Sequence, residues 1–418
     1  MSLFDDLTWR GLIAHCTDPE ALKQDLDHNR IAFYVGFDPT APSLHMGNFL
    51  QLTLVRRLLA AGHTPILLVG GSTGLIGDPR QSAERNLNPV ELVHTWLERI
   101  RFQVSRFVSF EGDNAAIVVN NYDWTCSVTV LDFLRDIGKH FSINRMLDRE
   151  VVKSRLESGI SYTEFSYVLL QSLDYLELHR RYGAVLQTGG SDQWGNITAG
   201  VDLIRRETGD KVHALATPLV VKADGTKYGK TESGSLWLDP QMTSPYAFHQ
   251  FFLNAEDSMV GSYLRYFTER SHEEIEDLEK QTIEAPHLRA AQRALADDLT
   301  DLVHSTEHRL AATEAAKAIF GQGDLGALDK ATVDAVAAEL PGTSWESLNG
   351  RSVMDALADS EIFDSRAAVK RAVKEGGAYL NNVRVTDLDA IISVDDLIAG
   401  SVMILRRGKK TIGAIRVG

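Results

Sequence analysis

Cysteine is almost absent: Cys16 and Cys126 are the only two in 418 residues, and they lie far apart with no paired spacing. That excludes a disulfide framework and a zinc knuckle, both of which need thiols in spaced pairs. No stretch approaches the roughly 18 uninterrupted apolar residues that cross a bilayer. The start, MSLFDDLTWR, is acidic and lacks the apolar core of an export signal, so a cytoplasmic protein without membrane contact is expected. Positive charge is not in excess either. A formal net charge of -14 argues against an indiscriminate nucleic-acid coat, while leaving room for a local basic patch. Internal repeats and low-complexity tracts are also missing. What remains is an ordinary globular composition, 44% hydrophobic and 24% charged, in a chain long enough for two or three cores.

Up to about residue 222, short apolar runs alternate with helical periodicity. FYVGF is followed by a helix over 48–61, with Leu50, Leu54 and Leu58 four apart, and then by PILLVGG. Strand, helix and strand in this order predict a right-handed crossover in a parallel sheet. Further strands are predicted at 115–120 (AIVVNN), 184–190 (AVLQTGG) and 213–222 (HALATPLVVK), with helical stretches between them. The expected fold is α/β, a Rossmann-like doubly wound parallel sheet over residues 1–222. Residues 223–244 follow as a loop and connector. From 245 to 325 strands disappear, Ser271 and Glu274 form a capping-box signature, and HLRAAQRALADDLTDLVHS has helical periodicity, which predicts a helical domain. Residues 326–350, with PGTSWESLNGRS, read as a linker. Residues 351–418 read as a small α+β unit: helices in RSVMDALAD and SRAAVKRAVKEGG, strands in AYLNN and VRV, and a hairpin in SVMILRRGKKTIGAIRV.

Ligands of an open parallel sheet bind beyond the carboxyl ends of its strands. Polar residues gather at such ends here: Tyr34, Gly36, Asp38 and Thr40 after the first strand, Asp78 after the second, Gly190, Asp192 and Gln193 after a later one, and the lysines of DGTKYGK after the last. The stretch GFDPTAPSLHMGNF spends two prolines to reach His45 and Gly47 at the mouth of the 48–61 helix. Helix amides and the helix dipole favour an anion there. Gly47 has no Cβ to hold a flat ring off the backbone, and His45 and Thr40 are donors for phosphate oxygens. Read alone, HMGN is no more than a helix start. KADGTKYGKTESG, residues 222–234, is glycine-punctuated, with Lys227 and Lys230 three apart and a hydroxyl at Thr231. Read alone, it is a solvated lysine-rich turn. A mobile loop that brings two cations onto a polyphosphate suits a reaction gathering charge on phosphate oxygens, and the two segments in one α/β domain form a paired signal. Tyr167, Gln171 and Asp174, spaced i, i+4, i+7, share one helix face. That stripe is polar in an otherwise apolar stretch, YVLLQSLDYL. Buried polar groups need partners, and a substrate can supply them.

On these segments the chain resembles bacterial tyrosyl-tRNA synthetases along essentially its whole length. HMGN stands where that family and other class I synthetases carry HIGH, and KYGKT where they carry KMSKS; YVGFDPTAPSLH, GGSTGLIGDP, SYTEFSYVLLQSLDY and LQTGGSDQWGNIT extend the match. The resemblance implies that Tyr34 and Asp174 bind the phenolic hydroxyl of L-tyrosine, while Asp78, Tyr167 and Gln171 hold its ammonium group. It places Asp38 and Gln193 near the substrate's carboxyl end. It assigns ATP to Gly36, Thr40, His45, Gly47, Asn48, Gly190, Asp192 and Lys230, and charge stabilisation to His45, Thr40, Lys227, Lys230 and Thr231. By the same resemblance, tyrosine's carboxylate attacks the α-phosphorus of ATP to give tyrosyl-adenylate and pyrophosphate, and the terminal ribose of tRNA(Tyr) then takes the tyrosyl group. Mg2+ accompanies ATP, without a structural metal held by the protein. No covalent nucleophile is expected, since Cys16 lies outside the motifs and Cys126 has no base near it in sequence. Asn48 departs from the family's histidine. PRQSAER, after Asp78, carries fewer lysines than the resemblance implies, which leaves Arg80 and Arg85 as the candidates for auxiliary phosphate contacts. A homodimer is implied, with FLRDIGKHFSIN and the neighbourhood of Tyr162 in contact.

Residues 351–418 hold eleven Lys and Arg against nine Asp and Glu, a local balance of +2 in an acidic chain. Arg366, Lys370, Arg371, Lys374, Arg406, Arg407, Lys409 and Lys410 are candidates to track a phosphate backbone, and the unit resembles an S4-type RNA-binding domain. Two other readings fail on the residues. GGSTGLIG matches the glycine spacing of a dinucleotide fingerprint, but it follows the second strand, and no Tyr-x-x-x-Lys pair exists in the chain to serve a short-chain dehydrogenase. A non-catalytic RNA-binding relative would have lost polar residues that are all present. Tryptophanyl-tRNA synthetases share the architecture, and the phenol-matching pair Tyr34 and Asp174 favours tyrosine.

Overall fold

The computed structural model describes residues 1–79, 88–231 and 234–418, together with all side chains in them except those of Lys230 and Thr231. The chain divides into two units, Met1–Leu238 with Gly261–Glu276, and Asp239–Val260 with Asp277–Gly418.

The first unit is built on a six-stranded sheet. Its strands are β1 (His15–Cys16), β2 (Ala32–Phe37), β3 (Thr64–Val69), β4 (Ile117–Asn120), β5 (Ala184–Gly190) and β6 (His213–Thr217), in the order β1-β6-β5-β2-β3-β4. All neighbours run parallel except β1, which pairs antiparallel with β6. The chain proceeds from β2 to β3 and β4 on one side, then returns to place β5 and β6 on the other. The switch point therefore lies between β2 and β5, where the carboxyl ends of such strands open a ligand crevice. Strand β3 (TPILLV) is buried at every position but its first, the continuous apolar pattern of a parallel strand covered on both faces.

Helix α1 (Met46–Ala60) buries residues nearly all round, including Phe49, Leu52, Leu54, Val55 and Leu58, because it is enclosed on two sides. One cover is the segment 261–276: Phe267 stacks on Phe49 with centroids 5.4 Å apart, and Arg10 donates to the carbonyls of Arg265, Thr268 and Arg270. Tyr263 stacks on Tyr228 and donates to the Val221 carbonyl at 2.7 Å. These contacts place 261–276 with the first unit, where the sequence suggested a single helical domain over 245–325. Three more helices matter for the site. Helix α2 (Val90–Ser105) precedes β4; α3 (Tyr162–Tyr182) starts at the cap Ser161 and stops at left-handed Gly183; α4 (Trp194–Glu207) follows β5.

In the second unit, α5 (Pro245–Leu253), α6 (Ala290–Val303), α7 (Thr306–Ile319) and α8 (Lys330–Ala338) precede α9 (Val353–Asp359), α10 (Arg366–Glu375) and a five-stranded sheet. Its strands are β7 (Ser344–Trp345), β8 (Ala378–Leu380), β9 (Val383–Arg384), β10 (Val402–Arg407) and β11 (Thr411–Val417), in the order β9-β8-β10-β11-β7. Residues 326–350, read from sequence as a linker, are thus structured. Val333, Val336 and Ala337 share a core with Ala315, Ile404 and Ala414, and β7 pairs parallel with β11. The polar, glycine-bearing text hides this because only Trp345 of the two-residue strand is buried.

Candidate active site

His45 is the N-cap of α1. Its Nδ1 accepts the Gly47 amide at 3.0 Å, and its own amide donates to Asn48 Oδ1 at 3.2 Å. An imidazole that accepts through Nδ1 carries its proton on Nε2 when neutral, so the cap sets the tautomer and leaves Nε2–H as a donor. Asn48 therefore serves first as a capping residue, a role the sequence reading had not given it. The turn before the cap is held from α2: Gln103 accepts the Leu44 amide at 2.8 Å and donates to Ser43 Oγ at 3.0 Å. This buried support explains the long approach through two prolines, since the chain travels far enough to be gripped before the helix starts.

The lysine loop comes back to the same place. His45 bridges to Trp237, the Met46 amide donates to the Leu236 carbonyl at 3.1 Å, and the Leu236 amide donates to Gly229 at 2.7 Å. Gly229 has φ +89°, and an added Cβ would lie 2.3 Å from Met46 Cβ, so only glycine fits where KYGK meets HMGN. Lys227 is exposed beside it. Lys230–Thr231 pairs with Gly234–Ser235 in a short ladder; the side chains of Lys230 and Thr231, and all of Arg80 and Arg85, lie outside the described residues. Thr40 is exposed in the turn after β2, its amide donating to the Asp38 carbonyl.

Three carboxylates line the carboxyl edge of the sheet. Asp38 accepts from Tyr167 and from Thr73, both at 2.6 Å. Gly70 makes room for this, since an added Cβ would sit 2.1 Å from Asp38 Oδ1. Asp78 accepts from Gln193 Nε2 at 2.7 Å and Asn196 Nδ2 at 3.0 Å. Asp174, only 2% exposed, accepts from Asn121 Nδ2 and Trp124 Nε1, each at 2.9 Å. Burial pushes the Asp174 carboxyl up to about 7, against the two donors that pull it down. Tyr34 lies in the same core; its hydroxyl is buried without a partner, and burial followed by the Asp174 charge raises its pKa well above the usual phenol. Gln171 likewise has a buried Oε1 without a partner. Tyr167, Gln171 and Asp174 thus stand on one face of α3 toward this edge. Gly36 is exposed in β2, and at Gly190 an added Cβ would meet Asp192 Oδ1 at 2.6 Å.

Residues 26–321 match the family described as tRNA synthetases class I (W and Y). The chain belongs to that family. Residues 333–414 of this synthetase match the Tyrosine--tRNA ligase SYY-like C-terminal domain. It is 60% identical over 413 residues to a protein of Cutibacterium acnes named Tyrosine--tRNA ligase, covering 99% of each chain. Identity is 54% over 418 residues, with the same coverage, to one of that name from Streptomyces avermitilis. Among solved structures, a C-terminally truncated mitochondrial tyrosyl-tRNA synthetase of Coccidioides posadasii superposes with a TM-score of 0.66 at 29% identity, over 75% of this chain and 91% of that one. A tryptophanyl-tRNA synthetase of Encephalitozoon cuniculi shares the fold, with a TM-score of 0.54 at 13% identity over 75% and 90% of the two chains.

The basic residues of the synthetase's second unit differ in their commitments. Lys370, Arg371, Lys374, Lys409 and Lys410 are exposed. Arg366 is tied to Asp355 at 2.6 Å, Arg406 lies 4.1 Å over the Tyr379 ring, and Arg407 lies over Phe363. Sequence reasoning missed Thr73, Gln103, Asn121, Trp124 and Asn196. Of these, only Asn121, following directly on β4, carried the strand-end signal that marked the others.

Proposed function

We propose the following division of labour among these residues. The chain is a class I aminoacyl-tRNA synthetase that ligates tyrosine to tRNA: tyrosine and ATP give tyrosyl-adenylate and pyrophosphate, and the tyrosyl group then passes to the 3'-terminal ribose of tRNA(Tyr). The unpartnered Tyr34 hydroxyl beside buried Asp174 carries the assignment of the amino acid. A phenol placed between them accepts from Tyr34 and donates to Asp174, whereas phenylalanine leaves the Tyr34 hydroxyl unpaired and Asp174 with its two internal donors alone, a discrimination for which tyrosyl-tRNA synthetases are themselves the standard example. Asp78, Tyr167 and Gln171 receive the ammonium group, and Asp38 and Gln193 flank the carboxylate. Gly36, Gly47, Asn48, Gly190 and Asp192 form the ATP side. His45, through Nε2–H, joins Thr40, Lys227, Lys230 and Thr231 in stabilising charge on the phosphates, so that catalysis comes from alignment and electrostatics.

Among the described residues no three His, Cys, Asp or Glu side chains cluster to hold a metal, and Mg2+ is assigned to the substrate as the companion of ATP's phosphates. The first unit carries activation. The exposed Lys370, Arg371, Lys409 and Lys410 of the second bind the tRNA backbone, joined by Arg366, Arg406 and Arg407 once their internal contacts yield. The protein is placed in the cytoplasm. Val130, Leu131 and Tyr162 are 74%, 77% and 68% exposed, apolar surface of the kind that a second copy would cover; Leu131→Glu is expected to convert a dimer to a monomer in sedimentation, and an unchanged mass would refute that. For the chemistry, Lys230→Ala is expected to slow single-turnover adenylate formation strongly with little change in tyrosine binding. Equal rates in variant and parent would defeat the assignment.

A further inference from the structure

Arg149 has no part in the roles above, yet it stands at the edge of the pocket. Its Nη2 donates to Asn196 Oδ1, and it packs over Gly195, where an added Cβ would come within 3.4 Å of Nε and Nη2. The position is electrostatically awkward, because α4 begins here and a cation meets the positive end of its dipole. Burial lowers the guanidinium's pKa, and the charge on Asp78 opposes that shift.

What Arg149 gains is control of an amide. Asn196 is 2% exposed, and its two ends are alike in shape but opposite in hydrogen bonding. With Oδ1 occupied by Arg149, Nδ2 faces Asp78 Oδ1 at 3.0 Å and Gln193 Oε1 at 2.9 Å, and Gln193 Nε2 donates in turn to Asp78 Oδ2 at 2.7 Å. A flipped Asn196 would set its own oxygen against the carboxylate and break both of its other bonds. We propose that Arg149 is a positioning residue that locks the Asn196 amide, and through it holds the Asp78 carboxylate in the orientation that receives the substrate's ammonium group. The inference rests on the assignment of Asp78 to that ammonium. A cation near the ammonium also repels it, so the sign of the effect separates positioning from bare repulsion.

The test uses the full-length protein in ATP–pyrophosphate exchange with two competitors. Tyramine keeps the phenol and the ammonium; 3-(4-hydroxyphenyl)propionate keeps the phenol and the carboxylate. Arg149→Met is expected to raise the Ki of tyramine and the KM for tyrosine about tenfold, the scale of one lost charged hydrogen bond. The Ki of the deaminated acid, which meets Gln193 but not Asp78, rises far less, the KM for ATP stays unchanged, and Arg149→Lys recovers most of the loss. An equal loss for both competitors is a general structural defect and overturns the proposal, as do unchanged constants or tighter tyramine binding. Asp78→Asn keeps the two failures apart. If it does not weaken tyramine selectively, the assignment of Asp78 is wrong; if it does and Arg149→Met does not, only the role of Arg149 falls.

Discussion

Tyr34 carries a buried hydroxyl that the fold leaves without a hydrogen bond, at a cost of about 1–3 kcal/mol until a phenol arrives. Tyr34→Phe is therefore expected to leave the unliganded protein at least as stable in thermal unfolding, while raising the KM for tyrosine about tenfold and narrowing its advantage over phenylalanine. A drop of several degrees in the unliganded Tm would mean that the hydroxyl is partnered inside the fold. Asp174 makes a prediction in pH. Its carboxyl is raised from an ordinary 3.8 to about 7, burial being the first cause. Across that window the folded state binds more protons than the unfolded, so this residue's contribution to stability is present below pH 4 and lost as pH rises through 7. Tyrosine binding is expected to run the other way, because in the proposed assignment the phenol donates to the ionised carboxylate. Titration calorimetry should show tyrosine affinity falling several-fold from pH 8 to pH 6, with ATP affinity flat; an affinity for tyrosine independent of pH would contradict it. At this scale the sequence was readable where spacing carries information. Tyr167, Gln171 and Asp174 declare themselves as a polar stripe on one helix face. The groups that hold Asp174, Asn121 and Trp124, lie about fifty residues earlier in the chain, and no periodicity links a strand end to a helix across such a gap.

Two short segments of poor regularity meet at one edge because the lysine loop returns to the first turn of α1, the turn that the proposed function gives to the phosphates. The decisive contact is Gly229 on Met46. Gly229→Ala forces a Cβ into that contact and strains a positive φ, each worth about 1–3 kcal/mol. It is expected to slow single-turnover adenylate formation tenfold or more while leaving the tyrosine Kd unchanged. A normal rate would show that the loop does not work from this position. The elements of the sheet were legible in apolar runs, and β5 occupies the very residues that AVLQTGG marked. The elements of 326–350 were not. Helix α8 and strand β7 are short and polar on one side, and they earn their structure from partners as distant as Ile404 and Ala414. Segment 261–276 was assigned to its sequence neighbours, since the carbonyls that Arg10 grips are backbone groups with no signature in side-chain identity.

The chain divides into two units with separate cores, and the proposed function gives activation to the first and tRNA to the second. Both units are acidic overall, and the second keeps exposed Lys409 and Lys410 on the turn of its last hairpin. Reversing both to glutamate is expected to leave ATP–pyrophosphate exchange intact, to raise the KM for tRNA in aminoacylation, and to flatten the salt dependence of tRNA binding. Exchange lost together with aminoacylation would show that the two steps are not divided in this way. The central claim is that the carboxyl edge of the sheet forms one pocket shaped for tyrosine and its adenylate. ATP–pyrophosphate exchange with each of the twenty amino acids tests it most directly. Tyrosine alone is predicted to support exchange; exchange of comparable rate with tryptophan or phenylalanine, or none with tyrosine in a folded sample, would contradict it.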